Sequence, residues 1–108
     1  MNFKQKNLII KQIGRDYKKN KFANNAILLV REEEASYLEN KKNKNYYNEL
    51  KNKIDYILLQ MDTNLSQIIY NEFFSNKNEG WWMYYYSKST YYRLKNKAMD
   101  SFLEWWYV

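Results

Sequence analysis

The sequence predicts an all-α fold, a compact bundle of about five to six helices that ends in a helix-turn-helix. Three observations predict it. The 108 residues contain no proline and only two glycines, Gly14 and Gly80, so backbone breakers are nearly absent. Apolar residues recur at spacings of three and four along most of the chain, the period of a helix with one buried face. Near the C-terminus, Tyr86 and Ser87 immediately precede an amphipathic stretch, in the order of a hydrophobic staple and an N-cap. A chain of this size forms one core and buries somewhat under about 70% of its unfolded surface. The organisation expected is therefore a single helical domain, 1–108, in which residues 1–62 are supporting helices and 65–108 the helix-turn-helix portion.

Taken in order, the first helix is expected over residues 3–19, where Leu8, Ile9, Ile13 and Tyr17 recur near helical spacing. Its cations Lys4, Lys6, Lys11, Arg15, Lys18 and Lys19 read as a solvated face. The second, over 23–39, carries Ala26, Leu29, Val30, Ala35 and Leu38 near one face. Ile27 to Val30 alone would pass for a strand, but Glu32, Glu33 and Glu34 follow at once and favour helix. Residues 40–45, all Asn and Lys, are the one low-complexity stretch and read as a polar connection or frayed end that could also clamp a phosphate backbone. The third helix, 46–61, has the strongest stripe: Tyr47, Leu50, Ile54, Ile57, Leu58 and Met61. Asp62, Thr63 and Asn64 supply a break and cap candidates, and a fourth helix over 65–74 turns Leu65, Ile68, Ile69, Phe73 and Phe74 inward.

Composition narrows the function. The formal charge of +6 suits a polyanionic partner, because lysines that neutralise phosphates release condensed counterions. Lys, Asn, Ile and Tyr are also what AT-rich codons encode, so charge alone does not decide. Absence of Cys excludes disulfides and points to a reducing compartment; absence of His as well removes the usual zinc ligands and the commonest general base. No metal and no cofactor are expected, and no enzymatic activity. The acidic triplet at 32–34 cannot converge on one ion, since consecutive helical residues diverge by about 100°. Met1-Asn2-Phe3-Lys4 opens no apolar run of signal length, and the aliphatic block 26–30 is far too short to span a bilayer. A soluble, cytoplasmic protein with no membrane contact is expected.

The segment that carries chemistry is the last. Residues 75–78 read as a turn, and 79–85 as a helix of about two turns. Ser87 then caps the final helix by accepting from the backbone N–H of Ser89 or Thr90, and Tyr86 staples against Tyr91. From that cap Tyr91, Leu94, Ala98, Met99, Phe102 and Trp105 form an inward stripe. Lys88, Ser89, Tyr92, Arg93, Asn96 and Lys97 point away from it. Residues near the start of a recognition helix reach base edges in the major groove, where Arg pairs bidentately with guanine and Ser pairs with several groups. Arg93, Ser89, Tyr92 and Lys88 are the candidate base readers; Lys88, Lys95 and Lys97 are candidates for phosphate. Asn96 completes the outward set.

The stretch Tyr-Ser-Lys-Ser-Thr-Tyr-Tyr-Arg-Leu-Lys-Asn-Lys-Ala-Met, residues 86–99, resembles the end of ArpU-type phage transcriptional regulators and, more distantly, sigma-70 region 4-like helix-turn-helix domains. Those families begin the recognition helix with Ser-x-x-Thr-apolar, and Ser87, Thr90, Tyr91, Leu94 and Ala98 stand at the matching positions. The resemblance implies DNA binding in transcription regulation, with a last helix of about 88–105 entering the major groove of double-stranded DNA. The chain departs from the family before the turn, where Gly80-Trp81-Trp82-Met83-Tyr84-Tyr85 replaces an Ile-Ala-x-x-Leu-like pattern with a turn glycine.

That departure keeps an alternative open: a degenerate helix-turn-helix serving as a protein-interaction module, an accessory factor of RNA polymerase or another assembly. The aromatic residues around Trp81 to Tyr92 and at Trp105, Trp106 and Tyr107 read first as core, then as an interface, and last as platforms for single-stranded bases. Trp105, Trp106, Tyr107 and Val108 cannot all face inward on one helix, which leaves an apolar docking patch and allows a homodimer.

Overall fold

The structure, a computed structural model, describes the backbone of residues 1–29 and 34–108 and the side chains of 1–21 and 46–108. The described residues are all helical where regular, with no strand. Helix α1 (Phe3–Leu29) and helix α2 (Glu34–Gln60) are each 27 residues, about 40 Å long at the usual rise. They pack along one another. Helix α3 (Thr63–Ile69) runs directly into a π-helical turn, Tyr70–Phe74. A single 3-10 turn, Trp81–Tyr84, precedes helix α4 (Lys88–Trp106).

The boundaries follow local chemistry. Asn2 and Gln5 form a capping box at the start of α1: Gln5 N–H donates to Asn2 Oδ1 and Asn2 N–H to Gln5 Oε1, both at 2.9 Å. The break foreseen at 62–64 is present. Asp62 caps α3 by accepting from Asn64 N–H at 3.0 Å, and Ser66 Oγ donates to Leu58 O at 2.9 Å, tying α3 to the end of α2.

Among the described residues there are four α-helices where five to six were expected: the three foreseen over 3–61 are two, with other ends, and the one foreseen over 79–85 is a 3-10 turn. The first helix continues past Lys19 through Leu29, taking in the start of what was expected as a second helix. Residues 40–45 lie within α2 and are not a connection. Neither stretch contains Gly or Pro, and Lys is a good helix former, so nothing there stops propagation. The expected inward face of Ala26, Leu29, Val30, Ala35 and Leu38, the outward face of Glu32, Glu33 and Glu34, and the phosphate clamp of 40–45 concern side chains outside the described residues. The two-turn helix expected over 79–85 is only the 3-10 turn, since Trp81 and Trp82 are both drawn onto α4 and a tighter coil brings them there.

The core joins Ile10, Ile13 and Tyr17 of α1 to Tyr47, Ile54 and Ile57 of α2, then to Ile68, Ile69, Phe73, Phe74, Met99 and Phe102. The stripes expected over 46–61 and 65–74 are buried or half-buried throughout. The stripe of α1 is displaced. Its inward positions are Lys6, Ile10, Ile13 and Tyr17, and Leu8 is exposed, being two residues and about 200° from both Lys6 and Ile10.

The π turn positions everything that follows. Ser75 N–H donates to Tyr70 O at 2.9 Å, an i to i−5 bond, and Ser75 Oγ satisfies Asn71 O at 2.9 Å. The widened turn lets adjacent Phe73 and Phe74 both point inward while Glu72 faces α4. It also brings the Phe73 carbonyl against α1 at Gly14, where a Cβ would collide with that oxygen. Gly14 weakens the helix by roughly 1 kcal/mol relative to Ala, but its missing side chain is what permits this approach.

Candidate nucleic-acid interface

Helix α4 starts as its sequence foretells. Ser87 is extended, its Oγ accepts from Thr90 N–H at 3.4 Å and donates to Thr90 Oγ1 at 2.9 Å, and Tyr86 lies 6.2 Å from Tyr91, ring to ring. Cap and staple are both formed.

What fixes the helix laterally is Glu72. Its Oε2 accepts from Trp81 Nε1–H at 2.9 Å and from the Tyr91 hydroxyl, while Lys95 Nζ stands 3.4 Å from Oε1. The Trp82 ring stacks on Tyr91 at 4.5 Å and 4°, and Trp81 meets the same ring edge-on at 5.7 Å. Burial, and then the bond to Glu72, push the Tyr91 phenol far above the ordinary tyrosine range.

Lys95 was expected on phosphate and is instead only 7% exposed. Besides Glu72 it has the rings of Phe3 at 5.5 Å, Phe73 at 5.4 Å and Tyr92 at 6.0 Å around its amine. The reason is its register: Lys95 is four residues after Tyr91 and four before Met99, on the inward stripe. A second buried amine, Lys6 of α1, donates to Asn96 Oδ1 at 2.6 Å and to Asp100 Oδ1 at 2.7 Å. Asn96 is therefore partly engaged within the fold. Trp105, expected inward, is at the edge: it meets Tyr56, itself exposed, edge-on at 6.1 Å, and Leu103 and Trp106 take the packing role at this end.

The other predicted residues are exposed, spread over the outward half of α4. Ser89, Arg93 and Lys97 lie at successive spacings of four, with Lys88 and Tyr92 on the adjacent row, and all five are exposed. The acids of α4, Asp100 and Glu104, fall in its C-terminal half, and Asp100 is already paired with Lys6. Beside Arg93 an open groove of about 570 Å³ runs between Tyr92 and Asn96 on one side and Met1, Asn2 and Phe3 on the other.

Sequence reasoning missed Glu72 and Lys6. Lys6 had a signal in its spacing of four from Ile10. Glu72 had none beyond its place before Phe73 and Phe74, because its partners lie 9 to 23 residues away.

Among the described residues no group of three or more potential metal ligands gathers, and no helix is long and apolar enough to cross a membrane. None of the family models, curated proteins and solved structures compared with the chain matches it.

Proposed function

We propose that the protein binds double-stranded DNA through the N-terminal half of α4 and acts in transcription regulation. The observation that carries this reading is the exposed row Ser89, Arg93 and Lys97 with Lys88 and Tyr92 beside it. It lies in a stretch, residues 80–99, that contains no acid. In this reading α3 and its π turn support α4 as the first helix of a helix-turn-helix with a long connection, 75–87. Arg93 and Ser89 read base edges, while Lys88 and Lys97 hold phosphate. Fluorescence anisotropy with genomic fragments tests it. Arg93→Ala should cost about 1–3 kcal/mol on the preferred site, and Lys88→Ala should lower the salt slope by about 1. Binding indifferent to Arg93 and to salt would sink the reading.

A second reading, a protein-interaction module that docks on RNA polymerase, another assembly or a second copy of itself, is favoured by one observation. Tyr56, Leu59, Trp105, Tyr107 and Val108 are exposed, and Tyr56 and Trp105 meet edge-on. A partner that survives nuclease treatment and is lost on Trp105→Ser, with no DNA binding by the chain alone, would select it.

A further inference from the structure

Most of the aromatic side chains around α4 are used in packing, but those on the 3-10 turn divide sharply. Trp82 is stacked on Tyr91 and Trp81 is hydrogen-bonded to Glu72, so the base of the turn is anchored at two points. Tyr84 is 96% exposed, Tyr85 is 71% exposed, and Met83 beside them is exposed too. None of these side chains belongs to the core or packs against it. A turn anchored in this way and carrying exposed tyrosines loses little further freedom on binding, since Tyr has only two side-chain torsions to fix.

Charge selects the occupant. Residues 80–99 carry Lys88, Arg93, Lys95 and Lys97 and no Asp or Glu. Glu72 compensates Lys95, and Lys88, Arg93 and Lys97 remain exposed. Tyr84 and Tyr85 precede Lys88, the first exposed cation of α4, by four and three residues, so the turn that carries them leads directly into the basic half of the helix. A polyanion that also offers flat apolar rings matches both features, and that describes a nucleic acid with unpaired bases.

We infer that Tyr84 and Tyr85 are stacking platforms for unpaired bases, so that the preferred partner is a duplex continuing into a single strand, or a locally opened one. This rests on the reading of α4 as the nucleic-acid surface. It adds the class of substrate: the helix holds the paired part and the turn holds the bases leaving it.

The test is anisotropy with the full chain and three labelled probes: a short duplex, the same duplex with an oligothymidine tail, and oligothymidine alone. Wild type should bind the tailed duplex about tenfold or more tighter than the blunt one, the gain typical of a stacked base. Tyr84→Ala with Tyr85→Ala should remove that preference and leave blunt-duplex binding unchanged. Tyr84→Phe with Tyr85→Phe should retain it, because stacking needs the ring and not the hydroxyl. Thermal melts of the three proteins should coincide, since neither side chain is packed. The inference is overturned if wild type does not distinguish the tail, or if the alanine variant loses all probes equally. It is also overturned if that variant keeps the preference and loses instead a protein partner that survives nuclease. If wild type binds no probe even at low salt, the reading of α4 itself fails. If every probe binds through Arg93 with no tail preference, that reading stands and this inference falls.

Discussion

Lys95 and Lys6 both bring a cation into the interior, each 7% exposed, yet they are held in unequal ways. The carboxylate beside Lys95, Glu72, has a side chain only 20% exposed and also serves Trp81 and Tyr91, with three rings closing over the amine. The carboxylate beside Lys6, Asp100, is 60% exposed and keeps much of its water. The difference teaches where a buried amine becomes structural. Where its counterion is also desolvated and shared, removing one member strands several polar groups; where the counterion faces solvent, water takes over. The largest predicted effect follows. Glu72→Ala leaves Lys95, the Tyr91 hydroxyl and the Trp81 N–H without their acceptor and should cost about 3–5 kcal/mol in urea unfolding. Glu72→Gln keeps an acceptor and should cost clearly less. Equal losses in the two variants would break the account of Glu72 as a shared acceptor.

The next effect is steric and tests whether the surroundings of Glu72 are as rigid as the comparison requires. Gly14→Ala sets a methyl group against the Phe73 carbonyl, which belongs to the π turn and is one residue from Glu72. Overpacking of this kind should cost about 1–3 kcal/mol, outweighing the gain of roughly 1 kcal/mol from better helix propensity. A variant as stable as wild type would mean that α1 can slide away from the turn.

Alkali reaches the Glu72 anchor through the Tyr91 hydroxyl, and the Tyr17 phenol adds to the same response. Burial raises the phenols of Tyr17, to about 12, and of Tyr91, and the Tyr91 hydroxyl belongs to the Glu72 anchor. Above an ordinary tyrosine pKa of about 10 the unfolded chain loses these protons while the folded chain keeps them. The stability they contribute is whole below about pH 10 and falls as pH climbs through the folded values. Unfolding midpoints should therefore decline from about pH 10 upward, and less steeply in Tyr17→Phe. The same decline in wild type and variant would remove Tyr17 from the account.

Much of this could be read from the chain. The stripes at Tyr47 to Met61 and Leu65 to Phe74 were legible because one period ran through them, and the Ser87 cap with its Tyr86–Tyr91 staple is a local code completed within a few residues. The helix ends expected near 19 and 40 are absent because a polar, charged run resembles a loop in composition while containing nothing that breaks a helix. Lys95 reads as a surface cation by residue type, although its register with Tyr91 and Met99 places it inside. Glu72 was beyond reach, since its role depends on the π turn, which no periodicity announces, and on partners brought in by tertiary packing.

Lys6→Met is the smallest effect and the sharpest check on the contrast between the two buried amines. Methionine preserves most of the apolar stem on the inward stripe of α1 and removes only the amine. Asn96 loses a donor at 2.6 Å and Asp100 one at 2.7 Å, but Asp100 is already largely hydrated. The loss should be about 1 kcal/mol or less. Because the same change removes a cation that lines the groove beside Arg93 and leaves Asp100 unpaired, DNA affinity should hold or fall slightly while stability dips. A loss as large as that of Glu72→Ala would mean that the exposure of the counterion does not decide the strength of a buried amine here, and the two anchors would have to be treated as one.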